Sequence, residues 1–317
     1  MAAKVPAARL STGFDIPKVG LGTWLSKPGE VQEAVVTAIE TGYRHIDCAM
    51  AYGNHAEVGR GIQHCVENGT VTRADLFVTS KIWNTFHSLE ESKRAVDMIL
   101  SDLQLDYLDL CLIHWPQGYK EKAAMFPKDE NGVMINSDED YLTAWQGLEA
   151  KAKAGKIRSL GVSNFNHKQL QRVIDNCTIK PVYLQVEMHP YFPQSQYRAW
   201  CAERNIVMTA FSPLANPTHM FRQDGQPNLL DEPIMCEIAD KHSKSAAQVA
   251  LRWAIQKDVV VIPKSVSQLR IKQNFEIFDF ELSNGEMKQI DSLDRNWRIL
   301  TLDRDLKHPH YPFSEPF

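Results

Sequence analysis

Short apolar runs recur along the whole chain, each bounded by polar or turn-forming residues. The pattern predicts strands at Val19–Gly22, His45–Asp47, Phe77–Ser80, Leu108–His114, Ile157–Val162, Leu184–Glu187, Val207–Ala210 and Val259–Ile262. Several are apolar at successive positions instead of alternating, YLDLCLIHW most clearly. That is the mark of strands covered on both faces, as in a parallel sheet. Stretches of helical spacing lie between them. VQEAVVTAIETG offers Gly42 as its stop. SLEESKRAVDMILSDL opens with Ser88 and has Glu91 three residues on, a capping-box pattern. SAAQVALRWAIQKD has Ser245 as its expected N-cap.

Strand and helix alternate to the end without a Pro/Gly/Ser linker or a charge block, so residues 1–317 read as one domain. Eight βα units predict a closed α/β structure, the (β/α)₈ TIM barrel. A doubly wound sheet, the competing architecture, would carry GxGxxG after its first strand. The early candidate, GLGTW, lacks the third glycine and opens no helix. Two segments are longer than ordinary loops: Pro116 to about Asp138, after the fourth strand, and the tail from about Asn296 to Phe317. Long loops after strand ends commonly shape active sites.

Composition narrows the function without naming it. The formal net charge of −4 argues against an electrostatic nucleic-acid binder. MAAKVPAARL has no apolar core of the kind a secretory signal needs, and no run reaches membrane-spanning length. The six cysteines, Cys48, Cys65, Cys111, Cys177, Cys201 and Cys236, form no CxxC pair and are expected to be reduced, buried thiols of a cytoplasmic protein. Sequons at Asn68 and Asn176 are then chance matches. No obvious exposed apolar helix is available to build an interface, so a monomer is expected.

In a barrel, the C-terminal strand ends converge on one face and supply the catalytic groups. Taken in order, these ends carry Thr23 and Trp24; Asp47, with Tyr52 beyond it; Lys81 and Trp83; His114 and Trp115; Ser163 and Asn164; Gln185 and Glu187; Phe211 and Ser212; Lys264 and Ser265. Each alone has a plain explanation: a turn-capping Asp, a solvated Lys, a core His, a loop aromatic. Asp47, Lys81, His114 and Tyr52 on one face, ringed by tryptophans, have no shared structural purpose.

The residue types suggest a chemistry. A nearby ammonium favours the phenolate and lowers a tyrosine pKa, so Lys81 is expected to do this to Tyr52. Asp47 is the expected partner for Lys81. His114 either orients a substrate oxygen or tunes the tyrosine. Tyr52 then acts as a general acid toward an oxygen gaining negative charge, which describes carbonyl reduction lacking only a hydride donor. A nicotinamide cofactor fits that need. Ser163, Asn164 and Gln185 suit its carboxamide, and Phe211 could stack on its ring. IPKSVSQLR places Lys264, Ser265 and Arg270 at a helix start, a phosphate-binding cluster whose two cations favour NADP; read alone it is equally a solvated basic helix start.

At these residues the sequence resembles the aldo-keto reductases, particularly the aldose/aldehyde reductase branch. GYRHIDCAMAYGNHAEVG, LIHWP, GVSNF, PVYLQVEMHPY, AFSPLA, VIPKSV and the terminal PFSEPF carry the resemblance over nearly the whole chain. It implies a catalytic tetrad of Asp47, Tyr52, Lys81 and His114, with hydride passing from nicotinamide C4 to the carbonyl carbon of an aldehyde or ketone. It implies cofactor contacts from Thr23, Ser163, Asn164, Gln185, Phe211, Ser212, Leu214 and Val266. Lys264, Ser265 and Arg270 would hold the 2′-phosphate of NADPH, with Gln273 and Asn274 near the adenine. Trp24, Trp83, Trp115, Phe126, Trp297 and Leu300 would wall a pocket for a small-molecule carbonyl substrate.

Four positions depart from the family pattern. Phe211 stands where a tyrosine usually stacks on nicotinamide. Gly53 and His55 replace a polar residue and an acidic or amide residue. Leu300 stands where aldose reductases often carry a reactive cysteine, which implies a more apolar, less oxidation-sensitive rim. Selectivity is expected to be decided at Ala123–Phe126, Asn216–Phe221 and Asn296–Asp305. The alternative is an NADPH-binding, non-catalytic structural or regulatory subunit. A metal hydrolase is disfavoured, because no HExxH or paired-carboxylate ligand spacing is present.

Overall fold

The computed structural model describes residues 5–215, 225–315 and 317. Its centre is an eight-stranded parallel sheet whose strands follow one another in chain order. A short antiparallel hairpin, β1 (Ala7–Arg9) and β2 (Asp15–Pro17), precedes it. The sheet strands are β3 (Leu21–Gly22), β4 (His45–Asp47), β5 (Phe77–Ile82), β6 (Leu108–Ile113), β7 (Ile157–Ser163), β8 (Tyr183–Glu187), β9 (Val207–Phe211) and β10 (Val260–Val261). All eight predicted strands are present, with ends shifted by a residue or two. The first and last are shortest, because part of their pairing is single bridges.

Those bridges, Val19 to Val261 and Gly22 to Lys264, join the first sheet strand to the last and curl the sheet into the (β/α)₈ barrel. Gly22 is required at that seam: a Cβ there would stand 2.7 Å from the Ile262 carbonyl oxygen. Alternation along β6 divides the core into two layers. Leu110 and Leu112 join Ala8, Leu10 and Ile16 of the hairpin, which packs into one end of the barrel. Cys111 and Ile113 belong to the larger core shared with the helices.

The outer helices are α1 (Val31–Thr41), α2 (His55–Glu67), α3 (Leu89–Leu103), α4 (Tyr141–Lys153), α5 (His167–Asn176), α6 (Ser195–Ala202), α7 (Pro233–His242), α8 (Ala246–Gln256), α9 (Gln268–Phe275) and α10 (Asn284–Asp291). Gly42 ends α1 as expected, and Ser245 caps α8 in a reciprocal box with Gln248. The box expected at Ser88 does not form. The Ser88 main-chain N–H and hydroxyl both donate to the Glu121 carboxylate, at 2.7 and 2.8 Å, and Glu91 instead pairs with Arg94. A carboxylate from the long loop after β6 is a stronger acceptor than any intrahelical cap, and it fastens that loop to α3.

All six cysteines are free thiols. Cys48, Cys65, Cys111 and Cys201 are buried and Cys177 is half-buried, but Cys236 is exposed, because it faces outward on the amphipathic helix α7. Among the described residues no helix is long and apolar enough to cross a membrane. No cluster of three or more His, Cys, Asp or Glu side chains there could hold a metal ion.

Candidate active site

The strand ends bring the expected tetrad together. Lys81, on β5, is fully buried in a strand with no exposed residue. Its three ammonium donors all find oxygens: Asp47 Oδ1 at 2.5 Å, the Cys48 carbonyl at 3.1 Å and the Tyr52 hydroxyl at 3.2 Å. Burial opposes the ammonium, yet the Asp47 carboxylate and the Tyr52 phenol carry its pKa above the ordinary lysine value. The second Asp47 oxygen accepts from Gln185 Nε2 at 2.8 Å. Thr23 Oγ1 donates to the Asp47 carbonyl at 2.9 Å.

Tyr52 sits in a single 3₁₀ turn, Met50–Tyr52, just past β4. Gly53 follows with φ +66°, the left-handed conformation that favours glycine, so its departure from the family pattern fits the turn. Asn54 pins the turn to the barrel by donating to the Thr23 carbonyl at 2.9 Å. His55 is also anchored, with Nε2 2.9 Å from Ser80 Oγ. Burial, and then the Lys81 charge, hold its pKa at about 4, so it adds no charge near the tetrad.

The expected downward shift of the Tyr52 pKa is overturned. Burial outweighs the pull of Lys81, and the phenol is pushed up to about 12. Tyr52 is therefore a neutral phenol whose oxygen accepts from Lys81, which leaves its own proton free to be given away. The His114 ring stands edge-on to Tyr52, centroids 5.8 Å apart. Burial, and then Lys81, hold its pKa well below the ordinary histidine value, so it is a neutral imidazole.

The residues expected around a carboxamide border this group. Asn164 has φ +62°, in the left-handed region that asparagine tolerates better than most non-glycine residues. Its amide donates to the His114 carbonyl and to Ser163 Oγ, both at 3.1 Å. Its Oδ1 is buried with no partner. An orphaned buried acceptor on a side chain held by the His114 carbonyl is the feature a bound carboxamide N–H₂ would satisfy. The residues present thus fit a nicotinamide.

Phe211, Ser212 and Leu214 follow one another at the end of β9, all partly exposed. Lys264 lies beside the seam and donates to the Leu25 carbonyl at 3.1 Å. Ser265 is buried and its hydroxyl accepts from the Ser267 N–H; Val266 is half-buried. Arg270 is exposed in the first turn of α9. Burial lowers the Lys264 pKa, Glu30 opposes this, and Arg270 lowers it further, so the two cations feel each other at one helix N-terminus. Gln273 and Asn274 follow in the same helix, half-buried and buried.

Four of the expected pocket walls are continuous with the tetrad. Trp24 lies 6.5 Å from Tyr52 by ring centroids, Trp83 5.2 Å from His114, and Trp115 stacks on His114 at 6.4 Å. Phe126 meets Trp83 at 5.2 Å, and Trp83 Nε1 donates to the Met125 carbonyl at 2.6 Å, drawing the long loop over the site. Trp297 packs against Tyr191, and Leu300 is half-buried in the tail. The predicted selectivity segment Asn216–Phe221 lies outside the described residues.

Comparison with known proteins agrees with the strand-end arrangement. The sequence profile of the aldo/keto reductase family matches residues 18–295. The chain belongs to the aldo/keto reductase family. This aldo-keto reductase is 46% identical to aldo-keto reductase family 1 member A1 of Gallus gallus, over the full length of both chains. It is 44% identical to the Homo sapiens protein of the same name, covering 97% of this chain and 98% of that one. Its fold matches the aldose reductase from Schistosoma japonicum with a TM-score of 0.93 at 40% identity, over 99% of this chain and 100% of that one. The family and its fold, expected from the motifs, are thereby shown, and with them an oxidoreductase of carbonyl compounds.

One buried charge had no role assigned from sequence. Glu187, the last residue of β8, accepts from the main-chain N–H groups of Ile299 and Leu300 at 2.6 and 2.8 Å, and lies 2.9 Å from His189 Nε2. The signal available was its spacing: two positions past Gln185, it faces the same side of the strand. Its partners were invisible, because two of them are main-chain groups over a hundred residues away.

Proposed function

We propose that this aldo-keto reductase reduces aldehydes, and also ketones, to alcohols with NADPH, with Tyr52 as the general acid. The observation that carries the reading is the direction of the hydrogen bond at Tyr52: Lys81 donates to the phenol oxygen, so the phenol proton is unengaged in that contact. The neutral phenol gives this proton to the carbonyl oxygen as negative charge develops there. Lys81 stabilises the tyrosinate left behind, and Asp47 holds Lys81 in place and keeps it charged. His114, a neutral imidazole, orients the substrate carbonyl without adding charge to the site. Bound NADPH supplies the hydride.

Asn164, Ser163 and Gln185 would hold the carboxamide; Thr23, Phe211, Ser212, Leu214 and Val266 would line the remainder of the nicotinamide end. Lys264, Ser265 and Arg270 would hold the 2′-phosphate, and Gln273 and Asn274 the adenine. Trp24, Trp83, Trp115, Phe126, Trp297 and Leu300 would form the apolar walls. A single-domain cytoplasmic monomer is the working form we propose, in keeping with free thiols throughout.

Absorbance at the reduced nicotinamide band, followed with aldehydes, ketones and sugars and with NADPH and NADH in parallel, tests this reading. Consumption of NADPH on some carbonyls, with little of NADH, is expected. Tight NADPH binding with no turnover on any member would overturn it in favour of a non-catalytic subunit.

A further inference from the structure

Glu187 is wholly buried, yet its pKa stays below the ordinary carboxylate value: burial raises it, and His189, the Ile299 N–H and the Arg298 charge more than offset this. A buried anion needs such partners to remain charged. Here two of the three hydrogen-bond donors are successive main-chain N–H groups of the tail, which converge on the carboxylate as they would on a bound anion. The same strand carries Gln185, whose amide holds Asp47. One strand of five residues thus contacts the tetrad with one side chain and the tail with the next on that face.

The tail is tied elsewhere as well. The Trp297 N–H donates to the Tyr191 carbonyl at 3.1 Å, Tyr311 donates to the Thr301 carbonyl at 2.6 Å, and the Arg298 guanidinium lies 3.7 Å from the Phe313 ring centroid. Those ties keep the tail on the barrel. They fall on Trp297, Arg298 and Thr301, to either side of Ile299 and Leu300, whose own main-chain N–H groups both donate to the Glu187 carboxylate.

We propose that Glu187 is a positioning residue for substrate range, setting how far the Leu300 side chain and the adjoining Trp297 stand from the tetrad. This inference rests on the reductase reading above and adds to it the group that fixes one wall of the pocket. On this proposal a large aromatic aldehyde would reach that wall and a small aliphatic one would not. Loss of the clamp therefore changes recognition of the large substrate and leaves turnover of the small one in place.

The test uses the full-length Glu187→Gln variant, which keeps the side-chain volume and removes the charge. For a bulky aromatic aldehyde KM is expected to change about tenfold. For a small aliphatic aldehyde kcat and KM should stay within about twofold, and NADPH affinity should be unchanged. Amide hydrogen exchange at residues 299 and 300 should accelerate about tenfold while that of the barrel strands does not. A parallel loss on both aldehydes, or unchanged exchange at 299 and 300, would overturn the inference. Should Glu187→Gln fail to fold, exchange in the wild type decides: amides 299 and 300 exchanging as freely as open chain would overturn it, and protection would support it. Wild-type protein that turns over no carbonyl would overturn the reductase reading itself, and this inference with it. Free exchange at 299 and 300 with turnover intact would overturn this inference alone.

Discussion

Lys81 and Asp47 meet at 2.5 Å with neither side chain in contact with solvent. Removing one partner of a buried pair strands the other charge, which costs about 3–5 kcal/mol, whereas removing both is close to neutral. Asp47→Asn keeps an acceptor for Gln185 but leaves the Lys81 ammonium without its anion. Urea unfolding of that variant should show a loss of about 3–5 kcal/mol. Adding Lys81→Met should recover most of the stability and none of the activity. A double variant less stable than the single one would show that the pair does not have this energetic form.

Tyr52→Phe removes one hydroxyl and leaves Lys81 with Asp47 and the Cys48 carbonyl. Loss of a positioned general acid typically lowers turnover by about 10²–10⁴. Steady-state kinetics should show kcat falling by that factor, with NADPH affinity, read from protein fluorescence quenching, within about twofold. Turnover comparable with the wild type would remove Tyr52 from the proton-donor role.

Under the proposed function, Lys264 and Arg270 would govern the choice of cofactor. The two cations share the N-terminus of α9, and Arg270 is exposed. A charge-assisted hydrogen bond to phosphate contributes about 1.5–3 kcal/mol, or about ten- to a hundredfold in affinity. Arg270→Met should weaken NADPH by about that factor and leave NADH, which lacks the 2′-phosphate, nearly unaffected. Equal losses for both cofactors, measured by fluorescence titration, would place Arg270 away from that phosphate.

The strands, their order and the tetrad were legible because each rests on a local pattern: apolar runs, and polar residues at the ends of those runs. Main-chain partners left no such trace. Asn54 holding the Thr23 carbonyl and Glu187 holding two tail amides both depend on three-dimensional proximity. The same applies to Ser88, whose local capping signal was real but lost to Glu121, a carboxylate delivered by a distant loop. The Tyr52 pKa went the other way from expectation because the chain reveals which charge lies near a group, while the weight of burial depends on the packed environment around it.

Three buried histidines should make the fold sensitive to acid. Burial holds the His45 and His55 pKa values at about 4; for His87, burial and then His308 and His310, against Asp140, hold it at about 3. In the unfolded chain each titrates near 6.5. Below about 6.5 the unfolded state gains protons that the folded state does not, so stability is full above that pH and falls as pH drops toward 3–4. Each such histidine contributes a slope of at most about 1.4 kcal/mol per pH unit within the window. Urea midpoints between pH 7.5 and pH 5 should fall accordingly. Neither ring nitrogen of His87 has a hydrogen-bond partner, so His87→Gln breaks no bond within the protein. That variant should lose stability less steeply on acidification than the wild type. An identical slope would mean that His87 takes up its proton as readily folded as unfolded.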